Sequence, residues 1–144
     1  QDPNGSYAAV IPKWINAMLN DDEVFINGDG ETSRDFCYIK NAVQANILAA
    51  TVKNKKPMNQ IYNIALNERT SLNKLYSIIE SLLIKKGLRD SKQLPIYRDF
   101  REGDVRQSQA DISKAKKLLG YKPKYKIQNG IEEAMEWYRN CHDS

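Results

Sequence analysis

The stretch that most limits how this chain folds is a serine followed by a regular apolar ladder. Behind Ser71, the residues Leu72, Leu75, Tyr76, Ile79, Leu82 and Leu83 fall at i, i+3, i+4, i+7, i+10 and i+11. That spacing lines one face of an α-helix. Ser71 supplies an N-cap oxygen, and Gly87 ends the run. A face this apolar has to be buried, so other segments must cover it. Three other segments read as helices. Residues 7–19 carry Val10, Ile11, Trp14, Ile15, Met18 and Leu19, with Pro12 tolerable only in the first turn. Residues 41–53 place Val43, Ile47 and Ala50 on one face. Residues 127–138 carry Ile127, Ile131, Ala134, Met135 and Tyr138 on one stripe. A shorter helix runs from an Asp111 cap to Leu119 and stops at Gly120.

The strands are few and short. Val24-Phe25-Ile26 runs into Gly28-Asp29-Gly30, and Phe36 to Ile39 reads as a second strand, so the two form a hairpin-like pair around the glycines. Gln60 to Leu66 and Leu94 to Arg98 are the other two. Five helices and about four short strands do not complete a doubly wound sheet. The expected fold is a small mixed α/β lobe that lacks a Rossmann domain.

Composition closes off several classes. The 144 residues are 41% hydrophobic and 28% charged, as in a globular domain. No apolar run approaches the roughly 20 residues of a membrane span, and Ala8-Ala9-Val10-Ile11 gives way at once to Pro12 and Lys13, which is not a secretory leader. Cys37 and Cys141 are too few for a disulfide framework, and His142 is the lone histidine, so no metal-ligand cluster is expected. The net charge of +4 suits a small anion as well as it suits nucleic acid. Lys114, Lys116, Lys117, Lys122, Lys124 and Lys126 read as a solvated face. An RNA-binding role for them has thin support, because only Tyr121 and Tyr125 interleave. Asp2-Pro3-Asn4-Gly5 is turn chemistry, and a chain that opens inside a turn without Met reads as a piece of something longer.

Gly28-Asp29-Gly30 lacks the third glycine and the following helix of a dinucleotide fingerprint, and reads as a tight turn. No Ser-His-Asp set is visible. Two stretches stand out, residues 28–36 and 98–106. Each sets arginine beside aspartate and glycine. A guanidinium is planar, permanently charged and forked, which suits phosphate. Two such arginines can clamp a diphosphate while a carboxylate accepts from ribose hydroxyls. They can equally be surface Arg–Asp pairs worth under about 1 kcal/mol each.

Four motifs in order carry a resemblance over the whole chain. Gly28-Asp29-Gly30-x-x-x-Arg34-Asp35-Phe36-x-Tyr38-Ile39 resembles the substrate-lobe signature of extended short-chain dehydrogenase/reductases acting on nucleotide sugars. Ile61-Tyr62-Asn63-Ile64-Ala65 before a capped helix, Arg101-x-Gly103-Asp104-x-Arg106-x-x-x-Ala110-Asp111, and Leu118-Leu119-Gly120-Tyr121-x-Pro123 follow. Gly130-Ile131 and Trp137-Tyr138 match the closing helix. Within that superfamily the chain is most similar to bacterial UDP-N-acetylglucosamine 4-epimerases of surface-polysaccharide pathways, through the segment from Gln1 to Trp14 and through Ser33 to Ile39 and Gly103 to Asp111.

The resemblance implies roles. Arg34 and Arg101 hold the diphosphate, and Asp104 binds ribose hydroxyls. Phe25 and Asn27 lie against the uracil, walled by Val10 and Trp14. Ser108 stands where glucose-restricted relatives carry tyrosine, and its small side chain leaves room for an N-acetyl group. It also implies that NAD oxidises C4 of the hexose and returns the hydride to the opposite face. The family's glycine-rich NAD turn and its Y-x-x-x-K proton-transfer pair are both absent: the residue four after each tyrosine is never lysine. Residues 1–144 are therefore expected to be the C-terminal nucleotide-sugar-binding domain of a cytoplasmic isomerase, inactive alone. Its partners would be the UDP-sugar and an N-terminal Rossmann domain that binds NAD. The family often dimerises through the cofactor half, so a homodimer of the full enzyme is consistent with it, and neither membrane nor nucleic acid is implied. The alternatives are the same lobe in a UDP-glucose epimerase, a uronate epimerase or a sugar-nucleotide dehydratase, and a non-catalytic nucleotide-binding module.

Overall fold

A computed structural model describes residues 9–142. The expected turn at Asp2 to Gly5, the start of the first helix and the side chains of Cys141 and His142 lie outside what it describes. The elements run α1 (Val10–Leu19), β1 (Phe25–Asn27), β2 (Ser33–Arg34), α2 (Ile39–Thr51), β3 (Thr70–Ser71), α3 (Leu72–Lys85), β4 (Ile96–Arg98), α4 (Ser113–Leu119) and α5 (Ile127–His142). This is the small mixed α/β fold expected, with five helices and four short strands among the described residues.

The pairing of the strands differs from the expectation. β1 makes no hairpin. It runs parallel to β4 in the register Phe25↔Ile96, Ile26↔Tyr97 and Asn27↔Arg98. Phe36 to Tyr38 is not a strand either. The strand is Ser33–Arg34, which pairs with β3, and α2 already starts at Ile39. Gln60 to Leu66 runs without a ladder. Its burial alternates from Ile61 to Ile64 as a strand's does, but no partner strand supplies hydrogen bonds within the described chain, and a strand exists only as part of a ladder.

The chain divides into two compact units. One holds the described residues up to Thr32, then Ser71–Arg106, then those from Glu132; the other holds Ser33–Thr70 and Gln107–Ile131.

In the first unit α1 packs on α3. Ile15, Met18, Ile26, Leu75, Ile79 and Leu83 are essentially without solvent contact. The Trp14 ring meets Tyr76 edge to face at 5.9 Å. Ser71 caps α3 by accepting from Lys74 N–H at 3.2 Å, and Pro12 sits in the first turn of α1. Buried Arg89 is satisfied by the Ser91 carbonyl at 3.0 Å, the Met18 carbonyl at 3.2 Å and the Gln93 side chain. Glu80 accepts from Gln93 N–H at 2.8 Å.

In the second unit Ala45, Ala65, Ile112, Ala115 and Tyr121 form the core. Tyr121 donates its hydroxyl to the Ala65 carbonyl at 2.9 Å, and burial drives its pKa upward. Asn41, 1% exposed, does the work of a strand. Its Oδ1 accepts from Lys124 and Tyr125 N–H at 2.9 and 3.2 Å, and its Nδ2 donates to the Tyr125 carbonyl at 2.8 Å. α2 faces inward with Asn41 and Ala45, not with the expected Val43, Ile47 and Ala50. Val43 and Ile47 are 46% and 57% exposed. Small residues face inward because α4 packs close to α2. α4 starts one residue later than an Asp111 cap implies: Asp111 accepts from Ser113 N–H at 2.8 Å, and Gly120 ends the helix at φ +70°.

Candidate functional site

In the first unit the site residues stand on the β1–β4 pair and the two loops beyond it. Parallel register puts Phe25 and Asn27 on the same face as Ile96 and Arg98, while Ile26 points the other way into the core. The turn after β1 is closed by Gly28 N–H donating to the Arg98 carbonyl at 2.8 Å. Gly28 and Gly30 both have positive φ, and the space a Cβ would take is filled by the Phe100 ring at Gly28 and the Asn73 side chain at Gly30. Asn73 donates to the Asp29 carbonyl at 3.1 Å and to Glu31 at 2.8 Å, and accepts from the Tyr97 hydroxyl at 2.9 Å.

Asp29 sits at the centre of this turn. It accepts from Glu31 N–H at 2.9 Å and is paired with Arg106. The Arg106 hydrogen bond, then the Glu31 amide, hold its carboxyl below the usual aspartate range. Arg106 also lies 5.1 Å from the Phe100 ring centroid. Beyond, residues 101–105 form an exposed turn in which Asp104 N–H donates to the Arg101 carbonyl at 3.2 Å. Arg101 and Asp104 thus share one turn. Trp14 is 6% exposed and donates its indole N–H to the Phe25 carbonyl at 3.2 Å. It supports β1 from the core side, and Val10 is half-buried one turn before it.

In the second unit three segments are knotted around Asp35. Its Oδ1 accepts from Leu66 N–H at 3.0 Å, and its Oδ2 accepts from Asn67 N–H at 2.9 Å and Ala110 N–H at 3.2 Å. Gln109 donates to the Asn67 carbonyl and side chain at 2.8 and 3.0 Å, and Arg69 donates to Gln107. The Ser33 carbonyl then accepts twice, from Arg34 Nη1 at 2.9 Å and from Ser108 N–H at 3.1 Å. Arg34 and Ser108, 74 positions apart in numbering, are brought to one carbonyl. Sequence reasoning missed Asp35 as the organiser of this region. The one signal was its place directly after Arg34, which read as an Arg–Asp pair. Cys37 is exposed, and partial burial of its sulfur raises its pKa.

The glycine turn does not fit a dinucleotide. The Phe100 ring and the Asn73 side chain already occupy the space beside Gly28 and Gly30, the element after Gly30 is β2 and not a helix, and no Y-x-x-x-K pair is present in the sequence. Among the described residues no cluster of histidine, cysteine and carboxylates is placed to hold a metal, and no helix is long and apolar enough to cross a membrane.

Residues 3–134 match the family model described as GDP-mannose 4,6 dehydratase. The chain belongs to this family. Solved structures of similar proteins include the UDP-N-acetylglucosamine 4-epimerase of Methanobrevibacter ruminantium in complex with UDP-N-acetylmuramic acid. It is 39% identical with TM-score 0.84, over 98% of this chain and 42% of that one. The UDP-glucose 4-epimerase of Thermotoga maritima with UDP-glucose is 35% identical with TM-score 0.84, again over 98% and 42%. A variant of the UDP-glucuronic acid 4-epimerase of Bacillus cereus, in complex with a fluorinated UDP-glucuronic acid and NAD, is 27% identical with TM-score 0.80, over 96% and 41%. The chain spans about two fifths of the length of the family members it matches. The mixed α/β fold and the relationship to nucleotide-sugar enzymes expected from the motifs both agree with these likenesses.

Proposed function

We propose that this chain is the C-terminal, UDP-sugar-binding part of an NAD-dependent 4-epimerase that interconverts UDP-N-acetylglucosamine and UDP-N-acetylgalactosamine. In the first unit Phe25 and Asn27 receive the uracil, Asp104 accepts from the ribose hydroxyls and Arg101 meets a phosphate. Val10 and Trp14 back that face. In the second unit Arg34 meets a phosphate and Ser108 leaves room for the N-acetyl group. The observation that carries the reading is the Ser33 carbonyl, which holds the Arg34 guanidinium and the Ser108 backbone together. A charge for the diphosphate and a small side chain for the sugar substituent thereby share one anchor. The 39% identity to a UDP-N-acetylglucosamine 4-epimerase supports the substrate.

NAD belongs to the part of the enzyme that carries a glycine-rich turn and a proton-transfer pair. When bound there it supplies the oxidation at C4. The residues of this chain hold the nucleotide while the sugar turns. A cytoplasmic place in surface-polysaccharide synthesis and a homodimer of the full enzyme accompany the reading.

The protein expressed from its complete reading frame is incubated with UDP-N-acetylglucosamine and the products are followed by proton NMR. Appearance of the galacto epimer supports the proposal. Turnover of UDP-glucose or UDP-glucuronate alone, or loss of water, overturns the substrate assignment, and no turnover of any UDP-hexose overturns the enzyme reading. Ser108→Tyr is expected to abolish turnover of the N-acetylated substrate and spare UDP-glucose. Equal loss on both removes Ser108 from the specificity argument.

A further inference from the structure

Two arginines lie on two aromatic rings in the first unit, and they are held differently. Arg106 is near Phe100 and is also tied to the Asp29 carboxylate. Arg98 lies over Phe25, its guanidinium carbon 3.1 Å from the ring centroid. Among the described residues no carboxylate forms an ion pair with Arg98. Its side chain is exposed, and Phe25 beneath it is half-buried. Among the described residues Phe25 is the aromatic ring that β1 and β4 present on their outward face, and the guanidinium covers it.

Register makes the arrangement specific. Arg98 stands opposite Asn27 and reaches back diagonally over Phe25, whose own partner is Ile96. The Arg98 carbonyl is fixed by Gly28 N–H at 2.8 Å, so the backbone is pinned while the side chain is not. A planar cation on a ring occupies the volume that a stacked base would take. A guanidinium also stacks on a nucleobase, since every base presents a π-face.

We infer that Arg98 is the cover of the nucleobase platform. Without nucleotide its guanidinium closes over Phe25. With nucleotide it lifts by one layer, about 3.5 Å, the usual separation of atoms in contact, and stacks on the outer face of the base, which then lies between ring and cation. The inference rests on the reading that Phe25 receives the base, and it adds a recognition residue that the Phe25, Asn27 and Arg101 assignment does not contain.

The test uses the protein from its complete reading frame, with UDP and inorganic pyrophosphate as probes in titration calorimetry. Arg98→Ala is expected to weaken UDP binding roughly 5- to 13-fold, the excess of a desolvated cation–π contact on the base over the exposed contact on Phe25 that is given up. Pyrophosphate binding should stay within twofold of wild type. Arg98→Lys should recover little, because an ammonium does not stack flat. Equal losses for UDP and pyrophosphate would make Arg98 a phosphate ligand and overturn the inference. Unchanged or tighter UDP binding, with or without a lower melting temperature, would make it a structural cover only and overturn it too. Failure of wild-type protein to bind UDP at all refutes the underlying nucleotide reading, and is distinguished by that control. Arg98 is exposed on a strand whose backbone bonds do not involve its side chain, so the variants should fold, and circular dichroism checks this.

Discussion

Replacing Asp35 by alanine should loosen three loops at once. The carboxylate accepts three backbone N–H groups, from Leu66, Asn67 and Ala110, at 3.0, 2.9 and 3.2 Å. Hydrogen bonds to a charged group contribute roughly 1.5–3 kcal/mol each when buried. Asp35 is half-buried and Asn67 is exposed, so water replaces part of what is lost. Taking about 1 kcal/mol per bond gives about 3 kcal/mol in all. For a protein of this size each kcal/mol moves the melting temperature by roughly 2–4 °C, so the expected fall is roughly 6–12 °C. Asp35→Asn keeps an oxygen at the Oδ2 position for Asn67 and Ala110 but turns an NH2 toward Leu66 N–H, and should lose about half as much. The assay is thermal unfolding by circular dichroism with amide exchange on the same samples. In the alanine variant the Leu66, Asn67 and Ala110 amides should lose protection together. A melting temperature within about 2 °C of wild type, with those three amides still protected, would refute the role given to Asp35.

The other expectations are smaller or more local. Asp29 is held below the usual aspartate value first by its Arg106 hydrogen bond and then by the Glu31 amide. The ion pair's contribution is therefore complete at neutral pH and is lost only as pH falls through a native value below the unfolded 3.8. A carboxyl titration by NMR should place Asp29 below that value, and Arg106→Ala should move it up. Gly130→Ala should destabilise although alanine favours helices by about 1 kcal/mol. The new methyl meets Tyr38 Cβ at 2.7 Å and Cγ at 2.8 Å, and overpacking costs about 1–3 kcal/mol; a raised urea midpoint would contradict this. Ser71→Ala should cost about 1 kcal/mol of stability through the lost cap on α3, read in the same denaturation series.

Helices were legible where local chemistry decides them. The apolar ladder of α3, its Ser71 cap and the left-handed Gly120 after α4 are each set by a few neighbouring residues, and all three stand in the structure. The strands were legible as extended segments but not as pairs. A hairpin around Gly28 and Gly30 satisfies local rules, yet β1 takes β4 as its partner some 70 residues on, and nothing near the turn encodes that choice. The inward face of α2 was misread because apolar residues need not be the buried ones. Where helices approach closely, alanine and a satisfied asparagine pack better than valine and isoleucine. Asn41 and Asp35 are invisible to periodicity because their partners are backbone N–H and C=O groups 31 to 84 residues away.

Among the described residues there are two two-stranded sheets, and the candidate site residues are held largely by side chains that bond to backbone. Asn73 fixes the turn after β1, Asp35 fixes the loops at 66–67 and 110, and Asn41 fixes 124–125. Each takes the place of a neighbouring strand. Such anchors tie a loop at one or two atoms and leave the side chains beyond them free to be chosen for binding. Phe25 and Asn27 gain more, because they stand on a ladder whose far side is core. On the proposed reading a nucleotide that engages Arg101 and Asp104 also holds the exposed turn that carries them, and the ordering it imposes costs affinity. The physical expectation is a division of labour. The β1–β4 backbone should recognise the base with little rearrangement beyond the Arg98 side chain, while the 101–104 turn should tighten on binding. Amide exchange with and without UDP distinguishes the two. Protection gained at residues 101–105 but not at 25–27 agrees with this account, and the reverse pattern overturns it.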